Sequence, residues 1–235
     1  MFQSGVDNHS CLVREGDRSN TEVDLFTQEC AGRGALEHYI SKKYLQVHDA
    51  HINECLPILV GIRDQAERLG AFGLRPGHYR PMFLEQYLDS PIEQQVASIS
   101  QHPIDRCSLI EIGNLAITRK GYGPLAMVVL AMSLAEAGYE WMVFTVTEQV
   151  EKLMKRLGFE PHYLAGADPG RLQGEPSIWG SYYNNNPRVM VGNIRAAVDI
   201  ITQSSRLSAI AHEQRDNITD IASSLRDYRR LMEAQ

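Results

Sequence analysis

Residues 108–159 constrain this chain more than any other stretch, because they spell strand, loop, helix, strand and helix in unbroken succession. The run LIEIGNLAI suits a buried strand over 109–117, and it leads into a short basic turn, Thr118-Arg-Lys-Gly-Tyr-Gly123. Pro124 follows, at the first helical position, where its missing N–H and fixed φ are suited. Gly138 closes that apolar helix about four turns later; a second strand is expected over 141–146, then a short helix ending at Leu157-Gly158-Phe159. A strand feeding a loop whose amides point from a helix N-terminus is a ready anion site.

Composition narrows the rest. The 235 residues suffice for one large domain with a proper core. A formal net charge of −6 gives a nucleic-acid partner no electrostatic support. Four cysteines, Cys11, Cys30, Cys55 and Cys107, are widely spaced and read as reduced thiols of a cytoplasmic protein. The N-terminal residues lack the apolar segment of a signal peptide, and the longest apolar run, 125–135, falls far short of the ~20 residues of a membrane span. An integral membrane span is therefore not expected. Two N-x-[ST] triplets, at Asn8 and Asn217, are read as chance.

Taken in order, residues 1–34 form a polar arm with a short strand over 22–26. A helix over 35–50 carries Leu36, Tyr39, Ile40 and Tyr44 on one face. His48 and His51 at its end have the i, i+3 spacing of a metal pair, but no third ligand is near and solvated histidines are the simpler reading; no metal is expected. Two meander strands follow over 55–63 and 67–74, joined by a turn at 64–66. One or two short helices occupy 81–100, the second starting at Asp89-Ser-Pro91 with Ser90 as its cap. Past the central stretch, an edge strand is expected over 160–164. A hairpin would pair 179–183 with 188–192 around Asn184-Asn-Asn-Pro187. Residues 194–235 read as helix, and Ala211, Ile218, Ile221, Leu225, Tyr228 and Met232 recur at a/d-like spacing. That spacing fits either a coiled-coil contact in a homodimer or a helix packed on its own domain.

The glycine loop is neither a P-loop nor a dinucleotide fingerprint, since G-x-x-x-x-G-K-[ST] and a third glycine are both absent. It remains either a phosphate cradle or a tight turn. The order of elements resembles the GNAT superfamily of acyl-CoA-dependent N-acyltransferases, whose pattern [QR]-x-x-G-x-[GA] is met at Gly121 and Gly123, with Thr118 at the first position. Leu157-Gly158-Phe159 is similar to that superfamily's second motif. Met154 stands where many of those enzymes place a tyrosine that protonates the leaving thiolate. A closer resemblance, over 36–194, is to the thermostable haemolysin family. It is carried by Phe83-Leu-Glu-Gln-Tyr-Leu-Asp-Ser-Pro-Ile-Glu93, Glu111-Ile-Gly-Asn-Leu-Ala116, Phe144-Thr-Val-Thr147, Arg156-Leu-Gly158 and Trp179-Gly-Ser-Tyr-Tyr183. Acyl-homoserine-lactone synthases carry a similar E-x-x-R strand, with Asn114 here at the fourth position.

The resemblance implies an α+β fold: a GNAT-like mixed central sheet flanked by helices over 35–193, with a helical extension over 194–235. It also implies an acyltransferase that moves an acyl group from acyl-CoA, or from acyl-carrier protein, to the amine of a small molecule. The donor would lie along Leu115, Ala116 and Ile117, with its pyrophosphate at Arg119, Lys120, Gly121, Tyr122 and Gly123. An amine arrives protonated near neutral pH, so a base must take its proton, and Glu111 is the first candidate. Asn114 would orient substrate or water, and a backbone N–H near Ala116 would meet the charge developing on the carbonyl oxygen. Tyr182 and Tyr183 are candidates for the thiolate's proton or for an acyl wall, while Glu85, Phe144 and Trp179 would contact substrate. Arg106 and the basic loop would attract an acidic carrier protein. The rival readings are a membrane-active lytic protein and a domain that binds acyl-CoA without turnover.

Overall fold

Continuous apolar runs build the strands at the centre of this chain, and strands buried on both faces set the architecture. The computed structural model describes residues 21–79, 81–117, 119 and 121–233; Cys11, Thr118, Lys120 and most of the expected N-terminal arm lie outside the described residues. One sheet comprises β1 (Thr21–Phe26), β2 (Ile58–Asp64), β3 (Glu67–Pro76), β4 (Leu109–Ile117), β5 (Trp141–Val146), β6 (His162–Gly166) and β7 (Arg188–Asn193), in the order β1-β2-β3-β4-β5-β7-β6. All neighbours are antiparallel except β4 and β5. A parallel pair needs a crossover, which α3 (Gly123–Glu136) supplies. Gly138, at φ +86, lets the chain turn from this helix into β5.

The two faces of the sheet are covered differently. On one, Ile110, Ile112, Met142 and Phe144 pack with α3 and with three terminal helices, α5 (Ile194–Gln203), α6 (Ser205–Glu213) and α7 (Arg215–Glu233). On the other, α1 (Arg33–His48) buries Leu36 and Ile40 against Leu59, Ala71 and Ala116. Beside it, a 3-10 turn (Phe83–Tyr87) and α2 (Ile92–Ser100) bury Leu84, Tyr87, Ile92 and Val96 against Leu109 and Val143. A short helix, α4 (Glu148–Arg156), follows β5.

The decisive irregularity is in β4. Ala71 faces Ala116 and Gly73 faces Gly113, so two steps on β3 oppose three on β4. The extra residue is a β-bulge at 114–115, and Asn114 has φ +50, a conformation asparagine tolerates better than most residues. The bulge resets the alternation: Ile110 and Ile112 face α3, and so do Leu115 and Ile117. It also bends the strand. Pairing with β5 runs from Leu109–Trp141 only to Ile112–Phe144, and beyond that point the two strands part.

Three expectations need correction. Residues 179–183 are not a strand: Pro176–Trp179 and Tyr182–Asn185 are 3-10 turns, and β7 pairs instead with β5 and β6. Gly180, at φ +51, breaks the extension, and the end of α1 lies so close that a Cβ there would meet the His48 carbonyl oxygen at 2.1 Å. The terminal helix is three helices: Ser204 adopts an extended backbone and its hydroxyl accepts the Leu207 N–H at 3.4 Å, capping α6, and Gln214, at ψ 14, separates α6 from α7. The second short helix starts at Ile92, with Pro91 rather than Ser90 at the cap position; Glu85, from outside it, accepts the Ile92 N–H at 3.1 Å.

Of the two readings of the terminal spacing, packing on the same domain is the one found. Ile218, Ile221, Ala222 and Leu225 are buried in the main core, α7 packs on α3, and Arg226 donates to the Glu136 carbonyl at 2.7 Å. The apolar spacing is therefore met by packing within one chain. Leu225→Ala should lower the unfolding free energy in urea by about 2–5 kcal/mol, whereas Leu231→Ala, on the exposed side of α7, should change it by less than about 0.5 kcal/mol. Equal small effects would refute this packing.

Candidate functional site

The gap opened by the bulge becomes a cleft of about 1530 Å³ that reaches through the sheet. One end is the start of α3. Gly121 has φ +97, which an L side chain rarely adopts, and Gly123 lies so close to α4 that a Cβ would meet Leu153 Cδ2 at 2.7 Å. The first turn of a helix carries N–H groups without intrahelical partners, and its dipole favours an anion there. Tyr122 departs from expectation. Its N–H donates to the Arg119 carbonyl at 3.3 Å and closes the turn, and the Arg119 guanidinium lies 5.6 Å from its ring centre. Arg119 itself is half exposed and 3.4 Å from Glu67. Lys120 lies outside the described residues.

Along the cleft the structure brings together Leu115, Ala116, Ile117 and Phe144, as expected from the sequence, with Glu111 and Asn114 beside them. Glu111 is not a surface carboxylate but a buried one, 3% exposed. Its Oε2 accepts the Phe83 N–H at 2.9 Å and its Oε1 the Leu84 N–H at 2.8 Å; Arg75, its cross-strand neighbour, is 3.8 Å away. Burial, the largest influence, raises the carboxyl, while Arg75 and the two N–H groups pull it back; it is pushed up to about 7. Asn114 Oδ1 accepts the Leu56 N–H at 2.8 Å, so this amide oxygen anchors the 51–57 loop over β3 and β4 rather than pointing at a ligand.

Glu85 also lines the cleft, but its charge is met within the protein. Arg106 grips both its oxygens, and the N–H groups of Met82 and Ile92 add 2.7 and 3.1 Å bonds. Burial acts to raise this carboxyl, yet Arg106 and the backbone donors hold it down at about 2. Arg106 is 6% exposed, and it also bonds Glu93 and the Gly77 carbonyl. It is thus a buried strut, not the surface charge expected to attract a carrier protein.

The opposite end is aromatic. Trp179, Tyr182 and Tyr183, brought in by the 3-10 turns, meet Tyr44 and His48 from α1 and Phe83 and Tyr87 from the turn after β3. Ring centres lie 5.2 Å apart for His48–Tyr182, 5.5 Å for Trp179–Tyr182 and 6.3 Å for Tyr44–Tyr182. The Tyr87 and Tyr183 hydroxyls are 2.6 Å apart. Burial raises the pKa of Tyr44, Tyr87, Tyr182 and Tyr183, so these phenols are neutral donors near pH 7. His48, lowered by burial, is a neutral imidazole whose buried Nδ1 lacks a hydrogen-bond partner. Cys55 lines the same cleft, but burial pushes its thiol up to about 11, which removes it as a nucleophile at neutral pH. Met154 also lines the cleft and has no proton to give.

Sequence reasoning missed Tyr44, His48, Arg75 and Tyr87 as cleft residues. The signal for Tyr44 and His48 was their i, i+4 spacing on a helix face; for Tyr87 and Arg75 there was none, since strand register and the turn after β3 bring them in.

Solved structures share this fold. An N-acyl amino acid synthase from uncultured soil microbes, FeeM, superposes with a TM-score of 0.53 at 10% identity, covering 80% of this chain and 97% of its own. BjaI, a CoA-dependent acyl-homoserine lactone synthase solved with SAM and isopentyl-CoA, gives 0.52 at 11% identity over 78% of this chain and 88% of its own. TofI in an apo form gives 0.51 at 14% identity over 76% and 96%. At such identities the likeness is one of fold, and it matches the GNAT-like α+β architecture that the resemblance implied. No curated protein matches the chain in sequence. The family model described as thermostable hemolysin matches residues 26–198, most of the chain, and on that match the protein belongs to the thermostable hemolysin family.

Proposed function

We propose that this protein is an N-acyltransferase that moves an acyl group from acyl-CoA, or from acyl-carrier protein, to the amine of a small molecule. The observation that carries this reading is the parting of β4 and β5 beyond Ile112 and Phe144, with an anion-suited helix start at one end and a buried carboxyl near 7 alongside. A pantetheine arm has amides that need partners, and the unpaired backbone of a parted strand offers them. The pyrophosphate meets the N–H groups at Gly121 and Gly123, with Arg119 adding charge. Among the described residues no helix is long and apolar enough to cross a membrane, which removes one support for direct lysis by a helical span.

The reaction forms one N–C bond and breaks one C–S bond. Glu111 takes a proton from the incoming ammonium, directly or through one water, and the freed amine attacks the thioester carbonyl. A carboxyl poised near 7 suits this task, being ionised enough to accept and basic enough to hold a proton. A backbone N–H near Ala116 meets the developing oxyanion. The nitrogen gives up its second proton as the C–S bond breaks: Tyr183, a neutral phenol paired with Tyr87, passes its own proton to the departing thiolate and takes that one in its place, the part of the tyrosine that Met154 displaces. Asn114 acts as a positioning residue through Leu56. Trp179 and Tyr182 wall the acceptor.

Coenzyme A at ~100 times its dissociation constant should add about 2.7 kcal/mol to the protein's stability, seen as a rise in Tm. Gly121→Glu should abolish that rise while the far-UV circular dichroism is retained. No rise with coenzyme A or any acyl-CoA would leave acyl-carrier protein as the donor, and failure to bind that as well would sink the proposal.

Transfer should rise with pH through about 7, as Glu111 ionises, and level off above it. Arg75 lowers this pKa, so Arg75→Gln should move the rise to higher pH. Glu111→Gln should cut kcat by about 10²–10⁴-fold. A profile that stays flat across neutrality would exclude Glu111 as the base.

A further inference from the structure

The cleft does not stop where the strands meet. On the sheet face opposite Glu111 it continues as an arm beneath α3, bounded by Met127, Leu130 and Ala131 of the helix, Met142 and Phe144 of β5, and Phe159 after α4. The helix residues recur at the three- and four-residue spacing that lines up one face, and the strand residues at the two-residue spacing that does the same. The arm therefore has two continuous walls. From Gly123 to Ala131 the helix rises about 12 Å, well beyond the reach of an acetyl group. All six side chains are apolar, so a polar group placed among them would lose its hydrogen bonds to water without replacement.

We infer that the donor carries a medium-to-long saturated acyl chain, and that its tail lies in this arm between α3 and β5. The inference rests on the acyltransferase reading and deepens it. The pantetheine amides find no partners here and follow the open strand, whereas a hydrocarbon tail loses nothing by entering. The arm is one space with the cleft that starts at Gly121 and Gly123, which ties its occupant to the donor rather than to the acceptor. Met127 and Met142 on facing walls can change rotamer, so the arm selects for length more than for shape. On this reading the acyl wall lies here rather than at Tyr182 and Tyr183. Those rings belong with Tyr87 and Val143 on the other face, which leaves tail and acceptor on opposite sides of the sheet, with the thioester carbonyl in the gap.

The test is a dissociation constant by calorimetry for coenzyme A, acetyl-CoA, octanoyl-CoA and dodecanoyl-CoA, each below its micelle concentration. Each buried methylene can tighten binding by up to about fourfold, so dodecanoyl-CoA should bind at least about tenfold more tightly than acetyl-CoA, and coenzyme A should compete with it. Ala131→Phe, which fills the arm, should erase that gain and leave acetyl-CoA within about twofold of the unaltered protein. Should that variant fail to fold, Met142→Ala on the facing wall should move the preferred chain to greater length. Acetyl-CoA and dodecanoyl-CoA binding within about twofold of each other would overturn the inference. So would a long-chain gain untouched by either substitution, or one that coenzyme A does not displace. If no thioester and no coenzyme A binds, coenzyme A falls as the donor, a result separate from equal binding of all chain lengths.

Discussion

The hydrogen bond from the Leu56 N–H to Asn114 Oδ1 ties the irregular part of the sheet to the loop that lies over it. Asn114 is the bulge residue, so the same side chain whose backbone resets β4 also anchors residues 51–57. The next two peptides are held too: Arg33 donates to the Leu56 and Pro57 carbonyls at 2.8 Å each. The Leu56 side chain then lies across Gly73 and Gly113, where a Cβ would meet its atoms at 2.9 and 3.0 Å. Two glycines, one asparagine and one arginine therefore make the bulge and its cover a single unit.

Two carboxylates near the turn at 83–87 share its backbone donors and end in opposite states. Glu85 takes the Met82 N–H, and Glu111 takes those of Phe83 and Leu84. Their difference comes from their cations. Arg106 meets Glu85 through two nitrogens, while Arg75 stands 3.8 Å from Glu111. A strong charge-assisted pair fixes one as a permanent anion, and burial with a weak partner leaves the other able to exchange a proton near neutrality. Environments that push neighbouring titratable groups apart are the usual means of dividing structural from chemical roles.

Much of this was legible in the residues. The apolar run at 109–117, Pro124 at a helix start, and Gly138 and Gly158 at helix ends placed β4, α3 and α4 correctly, because each is a local signal with a local cause. The meander of β2 and β3 was legible for the same reason. What failed was context. The aromatic spacing at 179–183 looks extended, but Gly180 and the α1 terminus bend it into turns. Ser204 sits inside an apolar periodicity that gives no warning of its extended backbone. Within the site, Glu111 was identifiable as a carboxylate on the central strand. Its burial was not, since Phe83 and Leu84 reach it from 28 and 27 residues away. The role of Asn114 as an anchor depends on Leu56, 58 residues distant, and no spacing rule reports such a bond.

The aromatic end of the cleft has a consequence for the order in which the molecule assembles. Its two halves are fastened where the Ser181 hydroxyl and N–H both donate to the His48 carbonyl, at 3.0 and 2.7 Å, and where His51 donates to the Ile178 carbonyl. The His48–Ser181 contact spans 133 residues of sequence. Closing so large a loop carries a high entropic cost, and contacts of such separation slow folding. During synthesis α1 is made early, yet its Tyr44 and His48 wait for residues 178–183 before they have a partner surface. The aromatic end of the cleft is thus completed late, and a chain halted before Ser181 would carry the glycine loop and α3 without the rings that close the other end.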